Sequence, residues 1–172
     1  TLYPGQTVTA RLTADPTNGA AVQAGLVLKT FGPDDQLGLV RGPVESLAPG
    51  HSVTLSWPVA LPAGCPVAAV GVELTSDMRA DGTAYLDWLT WCGEPDVRLG
   101  PPSHNGTAWQ SAWVSACSSS PCRSEHAYRL IQNQGTGLLI QGTRQWRNYT
   151  ASAVLSPHLA EACGLAVRVQ GL

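Results

Sequence analysis

Asp81 to Pro95 reads D-G-T-A-Y-L-D-W-L-T-W-C-G-E-P, and this stretch decides the fold class. An Asp-Gly pair suits a reversal of chain direction, because Gly tolerates positive φ. The alternation that follows has a period of two. It predicts a strand with Tyr85, Asp87, Leu89 and Trp91 on one face and Leu86, Trp88 and Thr90 on the other. Both faces are largely apolar, so the strand is expected deep in a sandwich, with Trp57, Trp88 and Trp91 in the core. A carboxylate in such a strand must be hydrogen-bonded, paired or bound to a metal, and Asp87 is expected to be buried in one of these ways.

The same reading extends outward from this strand. Gln6–Thr13 alternates Val8, Ala10 and Leu12 against Thr7, Thr9 and Arg11. Val22–Phe31 and Val67–Thr75 are longer apolar strands, and Ser52–Val59 places Val53, Leu55 and Trp57 on one face. Turn clusters such as Pro16-Thr17-Asn18-Gly19, Gly32-Pro33-Asp34-Asp35 and Leu61-Pro62-Ala63-Gly64 separate them. Short strands at this spacing predict an all-β chain, a sandwich or jelly roll.

Composition agrees. Charged residues make up 13% of the 172, while Gly (18) and Pro (13) are frequent, which favours strands and turns over helices with charged outer faces. A net charge of −2 provides no basic stripe for nucleic acid or for an anionic membrane surface. No apolar run approaches the roughly 20 residues that a membrane span needs. The opening T-L-Y-P-G-Q-T lacks the pattern of a secretory signal, and the chain is expected to be a piece of a longer protein.

Charge divides the sequence at Gly100-Pro101-Pro102. Residues 1–100 carry five cations against ten acids, −5, and residues 101–172 carry five cations against two acids, +3. The expected organisation is therefore a β-sandwich over 1–100 and a second, smaller or incomplete β-rich segment over 101–172. In the second segment strands are predicted at 108–114, 128–132, 137–141, 149–155 and 164–170. One helical turn is predicted over 157–162, with Ser156 as its N-cap. The segment Gly164–Leu172 is expected to add to the first half's sheet or to pair across a homodimer. Cys117 and Cys122, in C-S-S-S-P-C, have the spacing of a small disulfide loop. The remaining cysteines and histidines show no zinc-ligand spacing.

Y-P-G-Q-T-V-T-A-R-L near the start, L-A-P-G before a strand, and T-A-Y-L-D-W-L-T-W-C-G-E-P-D-V together resemble the galactose-binding-like jelly roll of carbohydrate-binding modules. With A-W-Q-S-A-W-V and W-R-N-Y-T-A-S-A-V-L-S-P-H-L-A, most of the chain is similar to the non-catalytic C-terminal part of bacterial ADP-ribosylglycohydrolase-family proteins. G-L-A-V-R-V-Q-G-L also resembles a strand of laminin-G-like sandwiches, where another strand normally follows. The family's hydrolase chemistry belongs to a separate helical domain, and no residue of this sequence matches it. The resemblance implies a non-catalytic accessory module directed at carbohydrate or ADP-ribose, with a structural calcium as its one expected cofactor, held at or near Asp87. The alternative is a structural or protein-interaction module that positions or dimerises the parent enzyme.

No nucleophile elbow, Walker loop or zinc-protease motif occurs. Asp77 and Asp81 lie in S-D-M-R-A-D-G with Arg79 between them, where turn formation accounts for Asp and sugar hydroxyls supply a second use. Trp109, Trp113 and Trp146 are candidate sugar-stacking rings. Arg144 and Arg147 flank Trp146 and could pair with phosphate or carboxylate.

Overall fold

The computed structural model describes residues 2–61, 65–99, 106–124 and 127–170. It is all-β. Ten strands and two short 3-10 helices make up the regular structure of the described residues, and no helix among them is long and apolar enough to cross a membrane. The chain forms two compact units, Thr1–Ala112 and Trp113–Leu172. The expected break at Gly100-Pro101-Pro102 lies outside the described residues, as does the turn at 62–64.

The first unit is built from β1 (Thr7–Ala14), β2 (Val22–Phe31), β3 (Leu37–Leu47), β4 (Ser52–Pro58), β5 (Val67–Thr75) and β6 (Ala84–Cys92). They form two antiparallel three-stranded sheets, β4-β1-β6 and β3-β2-β5. The inner faces of the two central strands make the core, with Val8, Ala10 and Leu12 from β1 and Ala24, Leu26 and Leu28 from β2. Burying those side chains against each other is the main favourable term, about 25 cal/mol per Å² of apolar surface. The deep strand is therefore β1 and not β6. β6 pairs with β1 alone among the described strands and is an edge strand.

Two glycines are dictated by close approach. A Cβ on Gly42 would lie 2.6 Å from Cδ2 of Trp57, so β3 can cross the indole only with Gly there. Gly5 has φ of 88°, and a Cβ on it would run into the Asp96 backbone nitrogen. Beside it, buried Gln6 accepts from the Tyr3 N–H through Oε1 (3.0 Å) and donates to the Gly93 carbonyl (3.3 Å). These bonds tie the chain start to the residues just after β6.

The 106–112 segment belongs to the first unit for a definite reason. The Asp35 carboxylate accepts the Thr107 N–H (2.7 Å), the Thr107 hydroxyl (2.8 Å) and the Ala108 N–H (2.6 Å). That caps the 3-10 helix Ala108–Ala112, and the strand expected over 108–114 begins only at Val114.

The second unit contains β7 (Val114–Ala116), β8 (Ser119–Ser124), β9 (Ala127–Ile131) and β10 (Leu138–Ile140), paired as β10-β7 and β8-β9. The strands expected near 128–132 and 137–141 are present. Those expected at 149–155 and 164–170 are not, and the helical turn expected over 157–162 is absent. Leu159 and Arg168 both have φ of 55°, which an extended strand or a right-handed turn cannot include. Residues 164–170 thus form no strand, and Gly171 and Leu172 lie outside the described residues. Cys117 is a free thiol, and the side chain of Cys122 is outside the described residues.

Candidate functional site

The register of β1 against β6 decides which side chains face outward. Ala10 pairs with Leu89 and Arg11 with Trp88, but Leu12 pairs with Leu86, so Asp87 is the extra residue of a β-bulge. A bulge reverses the alternation beyond it. Leu89 and Trp91 therefore face the core with Ala10 and Val8, as expected. Trp88 does not. It lies across from Arg11 on the outer face and is 42% exposed, which corrects its expected place in the core. Tyr85, opposite Thr13 on the same outer face, is 52% exposed.

Asp87 sits between these rings on β6, and Arg11 lies beside Trp88 on β1. Arg11 Nε is 3.5 Å from Asp87 Oδ2, and the Thr13 hydroxyl donates to the same oxygen at 2.8 Å. The Thr13 and Ser52 hydroxyls are 2.8 Å apart. A hydroxyl has a single proton, and Thr13 gives its own to Asp87, so Ser52 must donate to Thr13. A polar chain thus runs across the sheet from β4 through β1 to β6. Further hydroxyls line the next outward rows, with Thr54 beside Arg11 and Ser56 and Thr90 beside Thr9, while Pro58 and Cys92 flank Thr7 at the far end.

Asp87 is satisfied, but its side chain is 35% exposed and is not buried as expected. Nor does it fit a calcium site. Calcium takes six to eight oxygens, whereas the nearest charged neighbour of Asp87 is a guanidinium. No group of three or more His, Cys, Asp or Glu able to hold a metal occurs among the described residues.

At the Tyr85 end, Asp15 Oδ1 accepts the Thr17 hydroxyl (2.5 Å) and the Thr17 N–H (2.9 Å), and Oδ2 accepts the Tyr85 hydroxyl (3.2 Å). The Thr17 bonds hold the Asp15 carboxyl below the usual carboxylate range, with a smaller contribution from Tyr85. The Tyr85 phenol is pushed up by its bond to Asp15 and by that negative charge. The ring is fixed in place by its own hydroxyl.

The residues singled out by the sequence are scattered. Asp77, Arg79 and Asp81 are exposed between β5 and β6. Of these the structure brings together Arg79 and Asp81, 3.8 Å apart, with both side chains almost fully in solvent, a geometry worth little. Trp109 is 3% exposed, with its indole N–H donated to the Gly106 carbonyl (3.0 Å). It is an anchor for the 106–112 segment and presents no stacking face. Trp113 packs edge-on against Tyr128, with centroids 5.1 Å apart, and burial pushes the Tyr128 phenol up. Trp146 lies over Gly142 and packs edge-on against Tyr149 at 5.9 Å. Arg144 and Arg147 flank it and are exposed. The cation tied into that cluster is Arg168, which donates to the Arg147 carbonyl (3.1 Å).

Sequence reasoning missed Tyr85 and Trp88 as surface rings and Arg11, Thr13 and Ser52 as their neighbours. The available signal was the Thr-rich alternation of T-V-T-A-R-L-T, whose polar side must face solvent when its apolar side is the core. Comparison with protein-family models, curated proteins and solved structures finds no match to the chain.

Proposed function

We propose that this chain is a non-catalytic accessory binding module directed at carbohydrate, and that the outer face of sheet β4-β1-β6 is its binding surface. One observation carries the reading: Trp88 and Tyr85 stand exposed on a hydroxyl-bearing face on either side of Asp87, which is paired with Arg11. Indole and phenol rings stack on the apolar faces of sugars, and a carboxylate and a guanidinium hydrogen-bond their hydroxyls. A solvent-facing sheet surface does not need two large aromatic rings for folding. The resemblance of the sequence to the non-catalytic part of ADP-ribosylglycohydrolase-family proteins supports an accessory role.

Isothermal titration calorimetry of the chain against a panel of glycans and ADP-ribose tests this. Heat of binding to at least one glycan, lost in Trp88→Ala at unchanged melting temperature, is the expected result. Binding of ADP-ribose alone would contradict it. A second reading, a protein-interaction module, is favoured by the exposed Leu37, Leu39 and Val44 on the outward side of edge strand β3. Sedimentation showing self-association that Leu39→Lys abolishes would support that reading.

A further inference from the structure

We infer that the outer face of β4-β1-β6 selects an internal stretch of an uncharged, extended polysaccharide, in preference to a chain end, an acidic glycan or a sugar nucleotide. This rests on the carbohydrate reading above and names the class of ligand.

Shape is the first argument. Recognition of a chain end requires polar groups that converge on one sugar from several sides. Here Ser52, Thr13 and Asp87 lie in one row across three strands, and the two rings beside them are about half exposed. That arrangement is a platform and not a convergent pocket, and a chain can lie across it.

Spacing is the second. Tyr85 and Trp88 are three residues apart on β6, and the bulge at Asp87 brings both to the same face. They stand opposite Thr13 and Arg11, which are two residues apart on β1, so at about 3.3 Å per residue their attachment points are separated by roughly 7 Å. Two linked pyranose rings cover that span. A single sugar cannot stack on both rings, whereas a run of them can, with the intervening hydroxyls over Asp87. Both contacts of Asp87 within the described residues fall on Oδ2, and a carboxylate has about four lone-pair sites, so Oδ1 is left for a ligand hydroxyl.

Charge is the third. Arg11 and Asp87 are the two charged residues among the outward positions of β1, β4 and β6, and they pair with each other. The next charge, at the Tyr85 end, is Asp15. The three sum to −1. An acidic chain or a diphosphate would meet a cation already neutralised and an anion at one end, whereas a neutral chain suffers no such cost.

The test uses the whole chain in calorimetry and affinity electrophoresis. The ligands are neutral glucan, xylan and galactan, polygalacturonate and alginate as acidic chains, ADP-ribose, and the disaccharide and hexasaccharide of whichever neutral chain binds. A neutral chain is expected to bind, with the hexasaccharide at least about tenfold tighter than the disaccharide. Tyr85→Ala and Trp88→Ala should each weaken it by about tenfold or more at an unchanged melting temperature. Tighter binding of an acidic chain than of any neutral one would overturn the inference while leaving the carbohydrate reading in place. So would a disaccharide as tight as the hexasaccharide. A neutral chain bound equally by wild type, Tyr85→Ala and Trp88→Ala would overturn the placement of the site. A wild-type chain that binds no glycan would overturn the carbohydrate reading itself.

Discussion

Strand β1, T-V-T-A-R-L-T-A, and residues 164–170, G-L-A-V-R-V-Q, carry nearly the same alternation, yet they end in opposite environments. Val8, Ala10 and Leu12 are buried, with β4 and β6 paired on either side and β2 across the core. Leu165, Val167 and Val169 stand exposed in a segment without strand structure, and Val154 and Leu159 before them are almost wholly in solvent. An apolar alternation shows that a strand could be buried. Whether it is buried depends on two flanking ladders and a second layer to cover its inner face, as the first unit provides and the second does not.

The sharpest way to break this contrast is a matched pair of substitutions. Leu26→Ala removes a side chain that is fully buried and should cost about 2–5 kcal/mol in denaturant unfolding. Leu165→Ala should change stability by no more than about 0.5 kcal/mol. Equal losses would mean that 164–170 is packed after all. Next in size is Gln6→Ala, which leaves the buried Tyr3 N–H without its acceptor and should cost about 1–3 kcal/mol, measured the same way. A neutral result would show that water replaces the amide.

Asp87→Asn comes third. Its pairing with Arg11 is partly solvent-exposed, so thermal melting should report a loss below about 1 kcal/mol. A larger loss would restore the buried carboxylate that the sequence predicts. The smallest effect concerns pH. The Asp15 carboxyl is depressed in the folded state, so its contribution is present above the unfolded value of about 3.9 and fades as pH falls through the lower folded value. Asp15→Asn should remove that acid-side slope from the stability profile, with its small loss present at neutral pH and gone at the acid end, where wild type and variant converge.

Much of the first unit was legible because its apolar periods are unbroken: β1, β2, β4, β5 and β6 all follow from their alternation or apolar runs. β3 was not, since Gly38, Gly42 and Pro43 interrupt its pattern. Gly42 and Pro43 fall where β2 and β3 shift register, and Gly42 exists to pass Trp57. The site was hidden by a single residue. A strict period of two puts Trp88 on the opposite side from Asp87, and only the bulge, which is a matter of pairing with β1, turns both rings outward. Trp109 was misjudged for a related reason. Its neighbourhood reads as a strand until Asp35, distant in sequence, gathers Thr107 and Ala108 into a capped turn.

The central claim is that the binding surface belongs to the first unit's outer sheet face and not to the arginine-flanked Trp146 of the second. Backbone amide chemical shifts, followed by NMR as a neutral oligosaccharide is added, test it most directly. The expected result is a contiguous set of shifts at Arg11, Thr13, Tyr85, Asp87 and Trp88, with Arg144 to Tyr149 unmoved. Shifts centred on Arg144, Trp146 and Arg147, with the β1 and β6 amides still, would contradict it.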